Sequence, residues 1–161
     1  INDTRGHAAG DAVLVETVRR VRGALRQNDV VARWGGEEFV LVLPGTPTSV
    51  LPTVVGKVLV ALGSAPYEVD GQAMVVTASM GAIGFPAVPG QTWSAALGLA
   101  DSALYLAKAS GRNQAECIAR IDVEATSSEV DLNLLQNSGK AECLVIPGPS
   151  PAVVQPGPPP G

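Results

Sequence analysis

Histidine, cysteine and aromatic residues are scarce in this chain, and each scarcity removes a class of function. One histidine, His7, cannot build a His-rich metal cluster. Two cysteines, Cys117 and Cys143, are too few for a disulfide framework, so nothing demands an oxidising compartment. Basic residues are not in excess: 11 Lys and Arg stand against 15 Asp and Glu, a net charge of -4. That speaks against a general nucleic-acid binder, which needs a basic stripe. No run reaches the roughly 18 uninterrupted apolar residues of a membrane span. The chain opens Ile1-Asn2-Asp3-Thr4, without a Met, a basic n-region or an apolar run, so it reads as a segment of something longer. Also missing are a Gly-x-x-x-x-Gly-Lys phosphate loop, a Ser/His/Asp set and a Cys-x-x-Cys pair.

What is present is 161 residues, 46% of them apolar, enough for one domain with a sizeable core. Charge and proline are unevenly spread. Residues 1–120 hold ten bases and ten acids, whereas the last 41 residues hold five acids and only Lys140. Seven of the 13 prolines lie in that last stretch, ending in Pro158-Pro159-Pro160. Proline fixes φ and removes a backbone donor. Residues 1–119 are therefore expected to form the domain, and residues 120–161 a Pro-rich, acidic, disordered tail. Within the tail, Glu142 to Ile146 has the composition of one short strand, with no obvious partner.

Along the first part, Leu14, Val18, Val21 and Leu25 make one helical stripe, predicting a helix from about Ala9 to Gln27. Val30 to Trp34 and Phe39 to Leu43 read as two strands joined by a Gly35-Gly36 turn, a β-hairpin. Thr48 or Ser49 is placed to cap a second helix reaching about Leu62, with Pro52 in its first turn. Val75 to Ile83 reads as a third strand. Leu97, Ala100, Leu104 and Ala107 repeat the helical stripe, Gly111 is placed to end that helix, and Gln114 to Ile118 forms a last strand. The order predicts an α+β fold, helices packed on a mixed sheet. A sheet domain that opens on a helix also implies a strand upstream of Ile1.

Four groups of residues can carry chemistry, and each has a plain structural alternative. Glu37 and Glu38 follow the glycines of the hairpin turn. They make either a solvated acidic turn or a place where Mg²⁺ sits between carboxylates and substrate phosphates. Arg26 and Asp29 are three apart at the end of the first helix, which suits a local ion pair or cap, or a fork onto a phosphate and a base amine. Asn2 and Asp11 suit either turn and helix-start positions or purine reading. Lys108 and Arg112 either favour a helix C-terminus electrostatically or clamp phosphates. His7 reads as a local hydrogen-bonding residue or as an acid/base group.

Taken in order, five blocks closely resemble the GGDEF domain of the diguanylate cyclase family. They are INDTRGHAAGD (Ile1 to Asp11), RQND (Arg26 to Asp29), ARWGGEEF (Ala32 to Phe39), VTASMGAIG (Val76 to Gly84) and ADSALYLAKASGRN (Ala100 to Asn113). The resemblance implies a central mixed sheet flanked by helices, similar to the palm of nucleotidyl cyclases and polymerases, with its first strand missing from this chain. It implies condensation of two GTP into cyclic di-GMP and pyrophosphate by a homodimer, in a cytoplasmic bacterial protein driven by an upstream sensory domain. By the same resemblance, Asn2 and Asp11 read guanine, Glu37 holds Mg²⁺ (or Mn²⁺), and Glu38 is the neighbouring acid needed for activity. Gly35 and Gly36 let the triphosphate lie against the turn, and Lys108 and Arg112 contact phosphates. Arg26 and Asp29, with Arg33 assisting, match the RxxD site where cyclic di-GMP inhibits. The sequence departs from the family in one respect: the strand carrying the other main metal-binding Asp does not precede the INDT block. The segment by itself is therefore expected to be inactive. A second reading, a receptor that binds cyclic di-GMP without making it, uses the same Arg26 and Asp29.

Overall fold

A computed structural model describes residues 2–122 and 131–151, with side chains from residue 9 onward. The elements run α1 (Asn2–Ala24), β1 (Val30–Gly35), β2 (Glu38–Val42), α2 (Leu51–Gly63), β3 (Tyr67–Val69), β4 (Gln72–Met74), β5 (Met80–Ile83), α3 (Trp93–Ala109), β6 (Gln114–Ile121), α4 (Leu132–Asn137) and β7 (Ala141–Pro147). The fold is mixed α+β, as the element order predicts.

Helices α2 and α3 cover opposite faces of one small sheet. In it β6 is central, parallel to β5 and antiparallel to β7. Side chains alternate across a strand. Ala115 and Cys117 of β6 accordingly pack under Leu51, Val55 and Leu59 of α2, while Ile118 packs under Leu99 and Ala103 of α3, where the register shift between Ile118 and Arg120 also brings Ile121. Full burial of one such leucine, Leu59 for example, contributes about 1.5–3 kcal/mol. Gly81 lets α3 approach β5 closely: a Cβ there would run into the backbone of Ala100 and Leu104.

Helix α1 lies on α2 through Val21, Val58 and Leu62, and the β1–β2 hairpin leans on the same layer through Val31 and Leu41. The β1–β2 pair and the β3–β4 pair are separate two-stranded sheets, so among the described residues β2 and β5 each pair along one edge only.

Several boundaries differ from the sequence reading, for identifiable reasons. Helix α1 stops at Ala24 because the Asp29 carboxylate accepts the Arg26 N–H that would have continued it. Helix α2 starts at Leu51 with no side-chain cap; backbone turns from Pro47 and Thr48 lead into it instead of a Thr48 or Ser49 hydroxyl. The stretch expected as one strand from Val75 is shorter, since only Met80–Ile83 pairs with β6. The β3–β4 hairpin was not anticipated; it turns at Asp70-Gly71, both with positive φ (52° and 73°).

The largest difference is in residues 120–161, expected to be disordered. Asp131 caps α4 by accepting from Leu134 N, and Leu132 is buried against α3. Strand β7 then pairs with β6 from Gln114↔Pro147 to Ile121↔Ala141. The Glu142 to Ile146 stretch thus finds its partner along one edge of β6, with Ala141 and Cys143 turned toward the α3 layer and Ile146 toward the α2 layer. Residues 123–130 and 152–161, with Pro158-Pro159-Pro160, lie outside the described residues.

Candidate functional site

The hairpin that carries the paired carboxylates turns at Gly36-Glu37, one residue later than the expected Gly35-Gly36, because Gly35 still pairs with Glu38. Gly36 has φ +42°, a conformation in which glycine avoids the Cβ penalty. A bulge between Arg33 and Gly35 leaves Trp34 unpaired and exposed. Arg33 folds along the turn and donates from Nε and Nη2 to the Gly36 carbonyl, at 2.9 and 2.6 Å. This guanidinium braces the turn and is not turned toward Arg26 and Asp29. No atom lies within 4 Å of the Cβ positions of Gly35 and Gly36, so the turn's outer side is open to a ligand.

Glu37 is exposed at the tip, and Glu38 opens β2. The Lys108 ammonium, in the last turn of α3, stands 3.8 Å from the Glu38 carboxylate, with 46% and 54% of the two side chains exposed. At that distance and exposure the pair contributes little to stability. Its significance is spatial: two blocks 70 positions apart meet at one edge.

Helix α3 closes with Ser110 N donating to Leu106 O and Arg112 N donating to Ala107 O. Gly111, Arg112 and Asn113 follow in the left-handed region, with φ +117°, +62° and +46°. The Arg112 side chain is exposed and pairs with no other group among the described residues. Lys108 and Arg112 thus put two cations at a helix C-terminus, where the macrodipole already favours positive charge.

Arg26 and Asp29 form a different small structure. Asp29 is 5% exposed, and its Oδ2 accepts from the backbone N–H of Arg26 at 2.8 Å. Arg22 donates to the Asp29 carbonyl at 2.9 Å. The carboxylate is a turn cap and makes no ion pair with the Arg26 guanidinium, which is exposed and free among the described residues. Asp11 is exposed on α1 and makes no hydrogen bond or ion pair with the hairpin. Asn2 belongs to α1 by its backbone; its side chain and that of His7 lie outside the described residues. The structure therefore brings Glu38 and Lys108 together, and does not join Asp11 or the Arg26–Asp29 turn to them.

Neither cysteine has the environment of a nucleophile. Burial pushes both thiols up to about 11, and they point to opposite faces of the β6–β7 pair. Among the described residues no three His, Cys, Asp or Glu side chains converge as a complete cation cage. One or two exposed carboxylates beside an open turn suit a cation that arrives with phosphate oxygens, the usual manner of Mg²⁺.

Chemically, acids at an open glycine turn with the Lys108 ammonium beside them suit a phosphate-bearing ligand carried with a divalent metal. The sequence profile described as diguanylate cyclase, GGDEF domain, matches residues 1–114, and the chain belongs to that family. It is 38% identical over 116 residues to the diguanylate cyclase DgcP of Pseudomonas aeruginosa, covering 72% of this chain and 17% of DgcP. Among solved structures it is similar to the diguanylate cyclase SiaD of Pseudomonas aeruginosa, crystallised with its activator SiaC (TM-score 0.63, 41% identity, 70% of this chain and 42% of SiaD). It is also similar to the coiled coil and GGDEF domain of DgcB from Caulobacter crescentus in complex with c-di-GMP (TM-score 0.61, 28% identity, 69% of this chain and 59% of that one). The chain spans about a sixth of DgcP, so it matches one part of a longer relative. No helix among the described residues is long and apolar enough to cross a membrane.

Proposed function

We propose that the full-length protein is a diguanylate cyclase that joins two GTP molecules into cyclic di-GMP and releases two pyrophosphates. The observation that carries this reading is the meeting of Glu38 and Lys108 at one open edge, with Glu37 exposed next to Glu38 and Arg112 exposed just past the end of α3. Each 3′-hydroxyl attacks the α-phosphorus of the facing GTP; the new ester bond forms as the bond to pyrophosphate breaks. Two domains must face each other for this, so the active form is a homodimer. Lys108 and Arg112 bind the phosphates, and Gly35 and Gly36 leave room for them along the turn. Asn2 and Asp11 orient the guanine. Glu37 holds Mg²⁺ or Mn²⁺ together with substrate oxygens, and Glu38 is the second acid at the turn. A cation held there would supply charge neutralisation for the leaving pyrophosphate and would lower the pKa of the hydroxyl. The protein's own part is positioning and electrostatics, which is why acids, cations and glycines suffice.

Turnover is assigned to the full-length protein, since among the described residues no three metal-ligating side chains converge on a cation. Arg26 forms the product-binding site of an RxxD brake, supported by its exposed, unengaged guanidinium. Asp29 presents that arginine, and Arg33 acts through the turn it braces. The protein works in the bacterial cytoplasm, under a sensory domain elsewhere in its length. The test is to supply the full-length protein with GTP and Mg²⁺ and to measure cyclic di-GMP and pyrophosphate. Binding of cyclic di-GMP without its formation would replace the cyclase with the receptor reading.

A further inference from the structure

The turn that carries Arg112 is held from outside the family region. Arg112 and Asn113 are consecutive non-glycine residues in the left-handed conformation, which is costly for a side chain as large as arginine. Such a turn persists only where its surroundings over-determine it. Helix α3 supplies one restraint, the Arg112 N–H to Ala107 O bond of 3.0 Å. The others come from the end of β7. Gly148 N donates to the Asn113 carbonyl at 2.8 Å, and Asn113 Nδ2 donates to the Pro149 carbonyl at 2.9 Å. Gly148 has no room for a side chain, because a Cβ there would collide with Asn113. Pro149 in turn lies against Gly63 at the end of α2. The family match ends at residue 114, so every group that clasps Asn113 lies beyond it.

We infer that Gly148 and Pro149 form a clasp that positions Arg112, through Asn113, for the phosphates of GTP. The inference rests on the reading of Arg112 as a phosphate contact. Asn113, Gly148 and Pro149 are positioning residues; they touch no substrate. The segment Ala141 to Pro149 is then part of the substrate site's frame, and loosening it loosens the grip on GTP while the turn acids keep their places.

The test uses the full-length protein in four forms: Arg112→Ala, Gly148→Val, Asn113→Gly, and the double variant Arg112→Ala/Gly148→Val. Asn113→Gly keeps the left-handed backbone accessible and removes only the side-chain donor, so it remains informative if Gly148→Val fails to fold. Arg112→Ala should raise KM for GTP about tenfold, the loss of one charge-assisted contact. Gly148→Val should raise KM by a similar factor, and Asn113→Gly by about threefold, with kcat little changed in both. The double variant should be no worse than Arg112→Ala alone, because the clasp acts through that arginine. Lowered melting temperature with unchanged KM in Gly148→Val and Asn113→Gly would overturn the clasp, as would fully multiplicative effects in the double variant. An unchanged KM in Arg112→Ala alone would refute the phosphate role itself, and is read separately from the clasp variants.

Discussion

Arg20 and Arg112 are the same side chain in opposite circumstances, and the two flanks of the molecule differ in the same way. Arg20 is wholly engaged. Its Nε meets Glu16 at 2.7 Å, its Nη1 reaches the carbonyls of Leu62 and Ala65, its Nη2 reaches that of Pro66 at 2.6 Å, and its Cζ lies over the Tyr67 ring, 3.9 Å from the ring centre. It ties α1 to the end of α2 and the start of β3. Around the hairpin turn and the end of α3, Glu37 and Arg112 are exposed with no partner among the described residues, and the Lys108–Glu38 ion pair is long. Charge committed to the chain's own carbonyls stabilises the fold. Charge left uncommitted beside an open glycine turn is available to a ligand.

Substitutions at the two flanks should therefore separate stability from activity. The largest effect is expected for Glu37→Gln in the full-length protein. Loss of the charge should lower cyclic di-GMP formation by about 100-fold or more, in the range seen when a key electrostatic group is removed. Its melting temperature should hardly move, since nothing in the described residues pairs with Glu37. Activity near that of the parent would remove the metal role. Next is Arg20→Ala, which strands three carbonyls and a ring face, while the Glu16 carboxylate keeps its pair with Arg19. It should cost about 2–3 kcal/mol in denaturant unfolding, against less than about 0.5 kcal/mol for Arg112→Ala. Equal losses would break the contrast between the flanks.

Arg26→Ala comes third. The Asp29 carboxylate accepts from the backbone N–H of residue 26, which alanine keeps, so the turn survives the change. Inhibition by cyclic di-GMP should weaken about tenfold, as expected when one bidentate arginine is lost. Unchanged inhibition constants would place the brake elsewhere. Asp29→Ala is a poorer probe, because it removes a buried cap and costs about 1 kcal/mol or more of stability whatever its effect on product.

Much of the fold around the candidate site was legible because its signals are local. Glycines between two apolar, β-rich runs specify a hairpin, so Val30 to Leu43 was legible but for a one-residue shift in the turn. The Asp70-Gly71 turn carries an equally good dipeptide, but its flanking strands have three residues each, too few to show alternation. The strand Ala141–Pro147 had the right composition in an acidic, proline-rich setting. Its partner, β6, is distant in sequence, and no local rule specifies such pairing. Asp29 shows the same limit at the site: its spacing from Arg26 allows an ion pair or a cap, and the folded turn selects the cap, with the backbone claiming the carboxylate.

The smallest expected effect turns on pH, and the contrast between flanks extends to it through two glutamates. Hydrogen bonds from Arg19 and then Arg20 pull the Glu16 carboxyl down to about 2. Its folded state binds fewer protons than the unfolded chain, so the contribution is present above the ordinary carboxylate range near 4.5 and is lost as pH falls toward 2. Glu116 is the reverse case. It is buried on β6, and burial pushes its carboxyl up. There the folded state holds its proton longer, so stability falls as pH rises through 4.5 toward the elevated value. Glu116→Gln should accordingly raise the melting temperature at pH 7, and the gain should fade below pH 4.5, where the wild-type carboxyl is protonated in both states. Glu16→Gln should lower it at pH 7, with the loss shrinking toward pH 2. Melting curves of the three proteins across pH 2 to 8 test both signs at once. A Glu116→Gln variant less stable than wild type at pH 7 would mean that the buried carboxylate is compensated, and that burial on β6 is no more costly to charge than the exposed flank.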